Sequence, residues 1–139
     1  MIRLDDRNPE TSKSRKFSMV QKAELRIGNL IKANASFTGY LFVTEITNDA
    51  VQTDNGGTLE FYQIQPVVLT PEILINAGFI FGRKFCAEDF YDVKRKKDIF
   101  GNEAWEFKRN NESLTDVVYF HQLQNLYYAL SGQELSTAI

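Results

Sequence analysis

The stretch VVYFHQLQNLYYALSG, residues 117–132, decides how the rest of the sequence is interpreted. Its apolar residues recur at helical spacing, at Leu123, Leu126, Tyr127 and Leu130. This spacing places them on one face of an amphipathic helix. Residues 117–120 are β-branched or aromatic and predict a short buried strand. Gly132 suits the left-handed position that ends a helix, so we expect a strand that leads into a C-terminal helix near residues 121–131.

A group of short strands is predicted before residue 65. The first should run from Leu25 to Ile31, with Gly28 as a bulge, and YLFVTEIT at residues 40–47 is the clearest strand. Residues 54–57, DNGG, tolerate positive φ and predict a tight hairpin turn before a further strand at residues 59–64. Strands joined by such turns form an antiparallel β-meander or a small, SH3-like, partly open barrel.

A short helix is predicted near residues 71–77. Thr70 can cap it, Pro71 suits its first position, and Gly78 should end it. Phe79 can then pack back against the last turn. Together with the strands and the C-terminal helix, this predicts the α+β class.

Residues 80–110 predict a second hairpin. One strand holds Phe85, Phe90, Tyr91 and Val93, and the other holds Ile99, Phe100, Trp105 and Phe107. Between them lie four consecutive basic residues at the expected tip or outer edge, Lys94, Arg95, Lys96 and Lys97. Such a run can guard a sheet edge against association. It can also contact an anion, and one or two of the interleaved aromatic residues would then be exposed as stacking faces. The candidates for stacking are Tyr91, Phe100, Trp105 and Phe107.

The charge divides the chain into two parts. The chain has 139 residues and a net charge of −2, with a net charge of +3 on residues 1–22 and −5 on the remainder. We therefore predict a basic, flexible arm at residues 1–22 and a single α+β domain at residues 23–139. Within the arm, Lys13, Arg15 and Lys16 are candidates for binding a partner or nucleic acid.

The sequence offers few groups for catalysis or metal binding. It contains one cysteine, Cys86, and one histidine, His121, whereas zinc sites use several such ligands. A Cys86–His121 nucleophile pair is conceivable, but a lone cysteine is usually a small buried hydrophobe. No phosphate-binding glycine motif occurs. We therefore predict a protein that is not an enzyme and has no metal or cofactor.

The expected location is the cytoplasm. A single cysteine permits no internal disulfide, which is typical of a reducing compartment. No apolar run approaches the roughly 18 residues that a membrane helix needs, and the first residues do not have the pattern of a secretory signal. No membrane partner is expected, and the oligomeric state stays open.

Tyr128 is a further candidate contact residue. It lies off the apolar face of the predicted helix, among Gln122, Gln124 and Asn125. A tyrosine among amide side chains is typical of a protein-contact surface, although it can equally pack on a neighbouring loop.

Three motifs resemble those of a known group of proteins. They are ELRIGNLI at residues 24–31, LTPEILINAGF at residues 69–79 and FHQLQNLYYALSGQEL at residues 120–135. Their order resembles that of a family of small uncharacterised proteins from Bacteroides-type bacteria and their phages and prophages. The family has no established activity, so the resemblance implies a context, a mobile genetic element in the bacterial cytoplasm, and no site residues.

These observations predict a non-enzymatic binding protein of phage or prophage origin. It would occlude a host protein or nucleoprotein, such as a CRISPR nuclease, since its acidic body can mimic nucleic acid and its arm is basic. The alternative is a module for RNA or single-stranded nucleic acid that uses residues 94–97 and the flanking aromatic residues.

Overall fold

The computed structural model describes Val20, residues 22–33, residues 39–135 and Thr137. Within these ranges the chain forms two α-helices and nine β-strands in two antiparallel sheets, which confirms the α+β class. Most of the predicted arm, including Lys13, Arg15 and Lys16, lies outside the described residues.

The chain divides into two compact units, Met1–Pro66 and Val67–Ile139. Each sheet lies within one unit. The prediction that residues 23–139 act as a single domain stays a prediction, and the two units are described separately.

The first unit contains a five-stranded sheet. Its strands in chain order are β1 (Leu30–Ala33), β2 (Tyr40–Ile46), β3 (Ala50–Thr53), β4 (Thr58–Glu60) and β5 (Ile64–Pro66). Strands β1 to β4 are sequential neighbours, and β5 returns to pair with β1, which gives the order β4-β3-β2-β1-β5. This is the predicted meander, and across the described residues its sheet is open.

Side chains from all five strands meet in the core of the first unit. Ile31, Val43, Val51 and Ile64 are almost completely buried there, and Leu59 packs against them. The DNGG turn forms as predicted, with Gly56 at φ +84° and the Thr53 N–H bonded to the Gly57 carbonyl at 3.0 Å. The buried side chains on the strands determine which face of the sheet meets the core.

Two strand predictions in the first unit are wrong in their boundaries. The first strand begins at Leu30 rather than Leu25, because the backbone turns at Gly28, which has a φ of +99°. The Asn29 Oδ1 accepts the Arg26 N–H at 2.7 Å and holds that turn. The strand predicted at residues 59–64 is interrupted by a 3₁₀ turn, Phe61–Gln63, where Gln63 Oε1 accepts the Glu60 N–H at 2.9 Å.

The second unit contains a four-stranded sheet with neighbours in chain order. Its strands are β6 (Arg83–Cys86), β7 (Asp89–Lys97), β8 (Glu103–Arg109) and β9 (Glu112–Val117). Ile99 and Phe100, predicted in a strand, lie in the turn between β7 and β8 and are exposed. Asp98 Oδ1 accepts the N–H groups of Phe100 and Asn102 at 2.8 and 2.9 Å, so the backbone turns there.

Helix α1 (Pro71–Asn76) forms where the sequence predicts it. Thr70 Oγ1 caps it by accepting the Ile73 N–H at 3.2 Å. At the other end, the Phe79 N–H donates to the Leu74 carbonyl at 2.9 Å, and the Gly78 N–H to the Ile75 carbonyl at 3.0 Å. This pair of bonds is the Schellman motif, and it turns the chain back along the helix.

Helix α2 (Phe120–Ser131) ends at Gly132, which has a φ of +74°, as predicted. Its buried face is rotated from the predicted one: Phe120, Leu123, Gln124 and Tyr127 are buried, whereas Leu126 and Leu130 are half-buried. Gln124 can face the core because its Nε2 donates to the Leu135 carbonyl at 3.0 Å. The strand predicted at residues 117–120 is misplaced, since β9 spans Glu112–Val117 and Phe120 already begins α2.

Candidate functional site

A groove of about 590 Å³ lies within the second unit. Helix α1, the loop after it and the neighbouring ends of β7 and β8 form its walls. Among the described residues that line the groove, Arg95 is the one that carries a charge. The other lining residues are mostly apolar: Pro71, Leu74, Ile75, Phe79, Ile80, Phe81, Gly82, Val93 and Trp105. A groove with this lining favours apolar ligands or side chains.

A tight turn at residues 80–83 forms one rim of the groove. The Ile80 N–H donates to the Arg83 carbonyl at 2.8 Å, and the Arg83 N–H to the Ile80 carbonyl at 3.0 Å. Both central residues have positive φ, +52° at Phe81 and +79° at Gly82. Asn and Gly are the usual residues at the first of these positions, because a larger side chain is strained there.

Phe81 occupies that strained position with its side chain fully exposed to solvent. Ile75 and Ile80 on the same groove are 67% and 71% exposed. Apolar side chains that cluster in solvent around a groove are typical of an interaction surface. Neither the turn nor the core of the unit accounts for a phenylalanine at this place.

Arg95 and Trp105 form the strand wall of the groove. They are direct cross-strand partners in the β7–β8 pair, and the Arg95 guanidinium carbon lies 4.9 Å from the centre of the Trp105 ring. Trp105 is 8% exposed. Two residues singled out in the sequence thus meet at the groove, and Trp105 contributes to its wall rather than to an open stacking face.

The four basic residues of β7 divide between the two faces of the sheet. Because successive side chains alternate, Arg95 and Lys97 share the face that carries Val93, and Lys94 and Lys96 lie on the opposite face. Lys96 Nζ is 3.3 Å from Asp116 Oδ1. Lys94, together with Lys108, lines a second cavity of about 330 Å³.

This second cavity lies on the polar face of the sheet. Arg83 holds Asp92 there through two hydrogen bonds, at 2.7 Å from Nε and 3.1 Å from Nη2. The hydrogen bond with Asp92 raises the pKa of Arg83 above its usual value. The Arg83 guanidinium also lies 4.2 Å from the centre of the Phe90 ring, and Phe85 next to it is exposed.

Several aromatic residues considered for stacking are part of the core. Tyr91 and Phe107 are completely buried, with ring centres 5.8 Å apart. Phe100 is exposed in the turn that follows β7. Tyr128 is 44% exposed on α2 and lines neither cavity.

Cys86 and His121 do not line either cavity. His121 is buried and stacks on Tyr119 with ring centres 5.9 Å apart. Burial raises the pKa of Tyr127, and a hydrogen bond with the Cys86 thiol raises it further. In the parts of the chain that the structure describes, no group of three or more His, Cys, Asp or Glu residues is arranged to hold a metal ion.

Neither the groove nor the exposure of Phe81 was predicted from the sequence. A signal was present in GFIFG, residues 78–82, where two glycines bracket three apolar residues. A segment this short must reverse direction at one glycine or both. It therefore has too little length to bury all three side chains.

Comparison of the chain with models of protein families, with curated proteins and with solved structures gave no match. Among the described residues, neither helix has the length and apolar character that a membrane span requires.

Proposed function

We propose that the chain is a non-enzymatic binding protein that covers part of a partner protein through the groove beside α1. The observation that carries this proposal is the fully exposed Phe81 on a strained turn at the rim of the groove. A free monomer gains nothing from that placement. A partner that covers the ring gains about 1.5–3 kcal/mol from its burial.

The groove and its rim are suited to a protein partner. The lining is largely apolar, and Trp105 and Arg95 belong to the residue types that most often anchor protein interfaces. Nucleic acid would bring several phosphates to this surface. Among the described residues that line the groove, Arg95 is the one cation that could pair with them. We propose as partner a host protein, alone or within a nucleoprotein such as a CRISPR nuclease, and the phage context comes from the resemblance alone.

Capture from a lysate of a Bacteroides-type bacterium tests the proposal when groove variants are compared. Ile75→Glu places a charge in the groove at a residue that is 67% exposed, so the fold should tolerate it. Ile99→Glu is the matched control, since Ile99 is 91% exposed and lies in the turn after β7. Quantitative mass spectrometry should find a partner that the wild type and Ile99→Glu retain and that Ile75→Glu loses.

Equal capture by all three proteins would show that the groove does not bind the partner. If Phe81→Asp also captures the partner as well as the wild type does, the turn at the rim does not bind the partner either. Circular dichroism of each variant checks that the fold is kept.

The polar face of the second sheet supports a second candidate function, the binding of single-stranded nucleic acid. Lys94 and Lys108 line the 330 Å³ cavity there, and Phe85 and Phe90 lie close together with ring centres 6.0 Å apart. The Arg83 guanidinium, which lines the same cavity, lies 4.2 Å from the centre of the Phe90 ring. Aromatic rings beside basic groups are the usual combination for stacking a base beside its phosphate. Affinity for an RNA oligonucleotide should then fall steeply with salt and fall again in Lys108→Gln. The absence of any mobility shift at low salt would count against this function.

A further inference from the structure

We propose that the edge of β7 beyond Asp92 takes up an extended segment of the partner protein as an added antiparallel strand, in which acidic and apolar side chains alternate. This rests on the proposed function and names the chemistry of the partner.

The register of the sheet leaves this edge open. Strand β6 pairs with β7 only from Cys86↔Asp89 to Arg83↔Asp92, whereas β8 pairs with β7 as far as Lys97↔Glu103. Beyond Asp92, the turn at residues 80–83 is joined to β7 by a backbone hydrogen bond, in which the Val93 N–H donates to the Gly82 carbonyl at 2.8 Å. Across the described residues, no strand pairs with residues 94–97 on that side.

The direction of the free backbone groups follows from the hydrogen bonds on either side. The Phe90 carbonyl and the Asp98 N–H bond toward β8, to Asn110 and Asn102. The Val93 N–H bonds toward the β6 side. Because these directions alternate along an antiparallel strand, the N–H and C=O groups of Arg95 and Lys97 point to the open edge. An added strand can bond to both residues.

The side chains along the edge define the sequence pattern of the added strand. Residues directly opposite each other in an antiparallel pair lie on the same face. A partner residue opposite Arg95 therefore lies on the side of Val93 and the groove, where an apolar side chain fits. Partner residues opposite Lys94 and Lys96 lie on the polar face, where carboxylates meet the two ammonium groups. A second copy of this edge would instead bring two basic runs together.

A peptide tests the inference directly. The probe is a fluorescein-labelled, acetylated peptide of about eight residues that alternates Val and Glu, a typical strand length. In the inferred register the valines exchange backbone bonds with Arg95 and Lys97, whereas the N–H groups of the glutamates point away from β7. N-methylation of two central valines should weaken binding about tenfold or more, since two hydrogen bonds are lost. N-methylation of two central glutamates should leave the affinity within about threefold.

A pair of protein variants tests the same bonds from the other side. Arg95→Pro removes the N–H that points to the open edge and leaves the bonds to β8 intact. A sheet tolerates proline at such an edge position. Arg95→Gln removes the charge and keeps the N–H. Anisotropy should show that the proline variant binds the peptide about tenfold more weakly than the glutamine variant.

The other outcomes overturn the inference. Equal binding of the two methylated peptides would mean that the peptide docks through its side chains alone and adds no strand. The proposed function would not fall with this result, because the Ile75→Glu comparison tests binding to the groove separately. If the unmethylated peptide does not bind, strand addition at this edge is likewise excluded, and the proposed function is again left to the Ile75→Glu comparison. Displacement of the peptide by an equal concentration of oligonucleotide would assign the edge to nucleic acid. Self-association that Arg95→Pro abolishes would assign it to a second copy of the chain.

Discussion

The guanidinium of Arg95 lies over the indole ring of Trp105, with 4.9 Å between the guanidinium carbon and the centre of the ring. The two residues are opposite each other on β7 and β8 and both line the groove. Arg95 Nε is also 3.9 Å from Glu103 Oε1, a distance at which an exposed ion pair contributes little. The contact with the ring therefore orients the Arg95 side chain. It also makes Trp105, the single tryptophan of the chain, a reporter of the groove.

Replacement of Arg95 by alanine should uncover Trp105. We expect stronger quenching of its fluorescence by acrylamide, and a loss of about 0.5–1 kcal/mol in the free energy of unfolding, the usual size of an exposed cation–π contact. Lys97→Ala is the control, because Lys97 lies on the same face two residues further along β7. Unchanged quenching in Arg95→Ala would mean that the guanidinium does not cover the ring in solution.

Gly82 should be more sensitive to substitution than Gly101. Both have positive φ, +79° and +83°, but a Cβ at Gly82 would lie 2.9 Å from the Val93 carbonyl oxygen. A Cβ at Gly101 would meet no described atom within 4 Å. Alanine at Gly101 should therefore cost about 1–2 kcal/mol for its conformation alone. Alanine at Gly82 should cost about 1–3 kcal/mol more, because the β7 backbone must move.

Urea unfolding followed by Trp105 fluorescence measures this difference. The Gly82→Ala midpoint should lie below that of Gly101→Ala. Equal midpoints would contradict the close approach of the turn to β7.

The elements that could be predicted are those fixed by nearby residues. Thr70, Pro71 and Gly78 specify both ends of α1 through bonds that span a few residues, and Gly56 likewise specifies its turn. The face of α2 could not be predicted in the same way. Gln124 is buried because Leu135, eleven residues later, supplies its carbonyl partner.

The candidate site was predicted only in part, for a similar reason. Alternation along β7 predicts that Arg95 shares a face with Val93. That Trp105 lies opposite Arg95 depends on the register of two strands, which the sequence alone does not give. The groove requires α1, the turn at residues 80–83 and two strands to come together. The exposure of Phe81 is a property of that arrangement, and composition and spacing alone do not distinguish it from a core residue.

Replacement of Gln124 by leucine should destabilise the second unit. The change removes the 3.0 Å bond from Nε2 and leaves the Leu135 carbonyl without this donor in a buried position. A cost of about 1–3 kcal/mol is typical of such a group. Gln133→Leu is the control, because Gln133 is exposed and should stay within about 0.5 kcal/mol of the wild type. Similar urea midpoints for the two variants would contradict the structural role of the Gln124 amide.

Stability should depend on pH through Asp89. Its Oδ1 accepts from the Asn110 amide at 2.8 Å, and its Oδ2 from Arg109 Nη2 at 3.0 Å. The hydrogen bond from Asn110, and after it the bond from Arg109, holds the pKa of Asp89 below its usual value. A lowered pKa means that the unfolded chain binds the proton more readily, so stability rises with pH between the two pKa values. The contribution of Asp89 is therefore complete at neutral pH and is lost as the pH falls through the lowered value.

Asp89→Asn should consequently be less stable than the wild type at neutral pH, and the two should converge in acid. Urea midpoints measured from pH 7 to about pH 3 cover the range in which an ordinary aspartate titrates. Glu88→Gln is the matched control, since it neutralises the adjacent, exposed carboxylate. A constant difference between Asp89→Asn and the wild type across this range would show that the Asp89 charge does not link folding to pH.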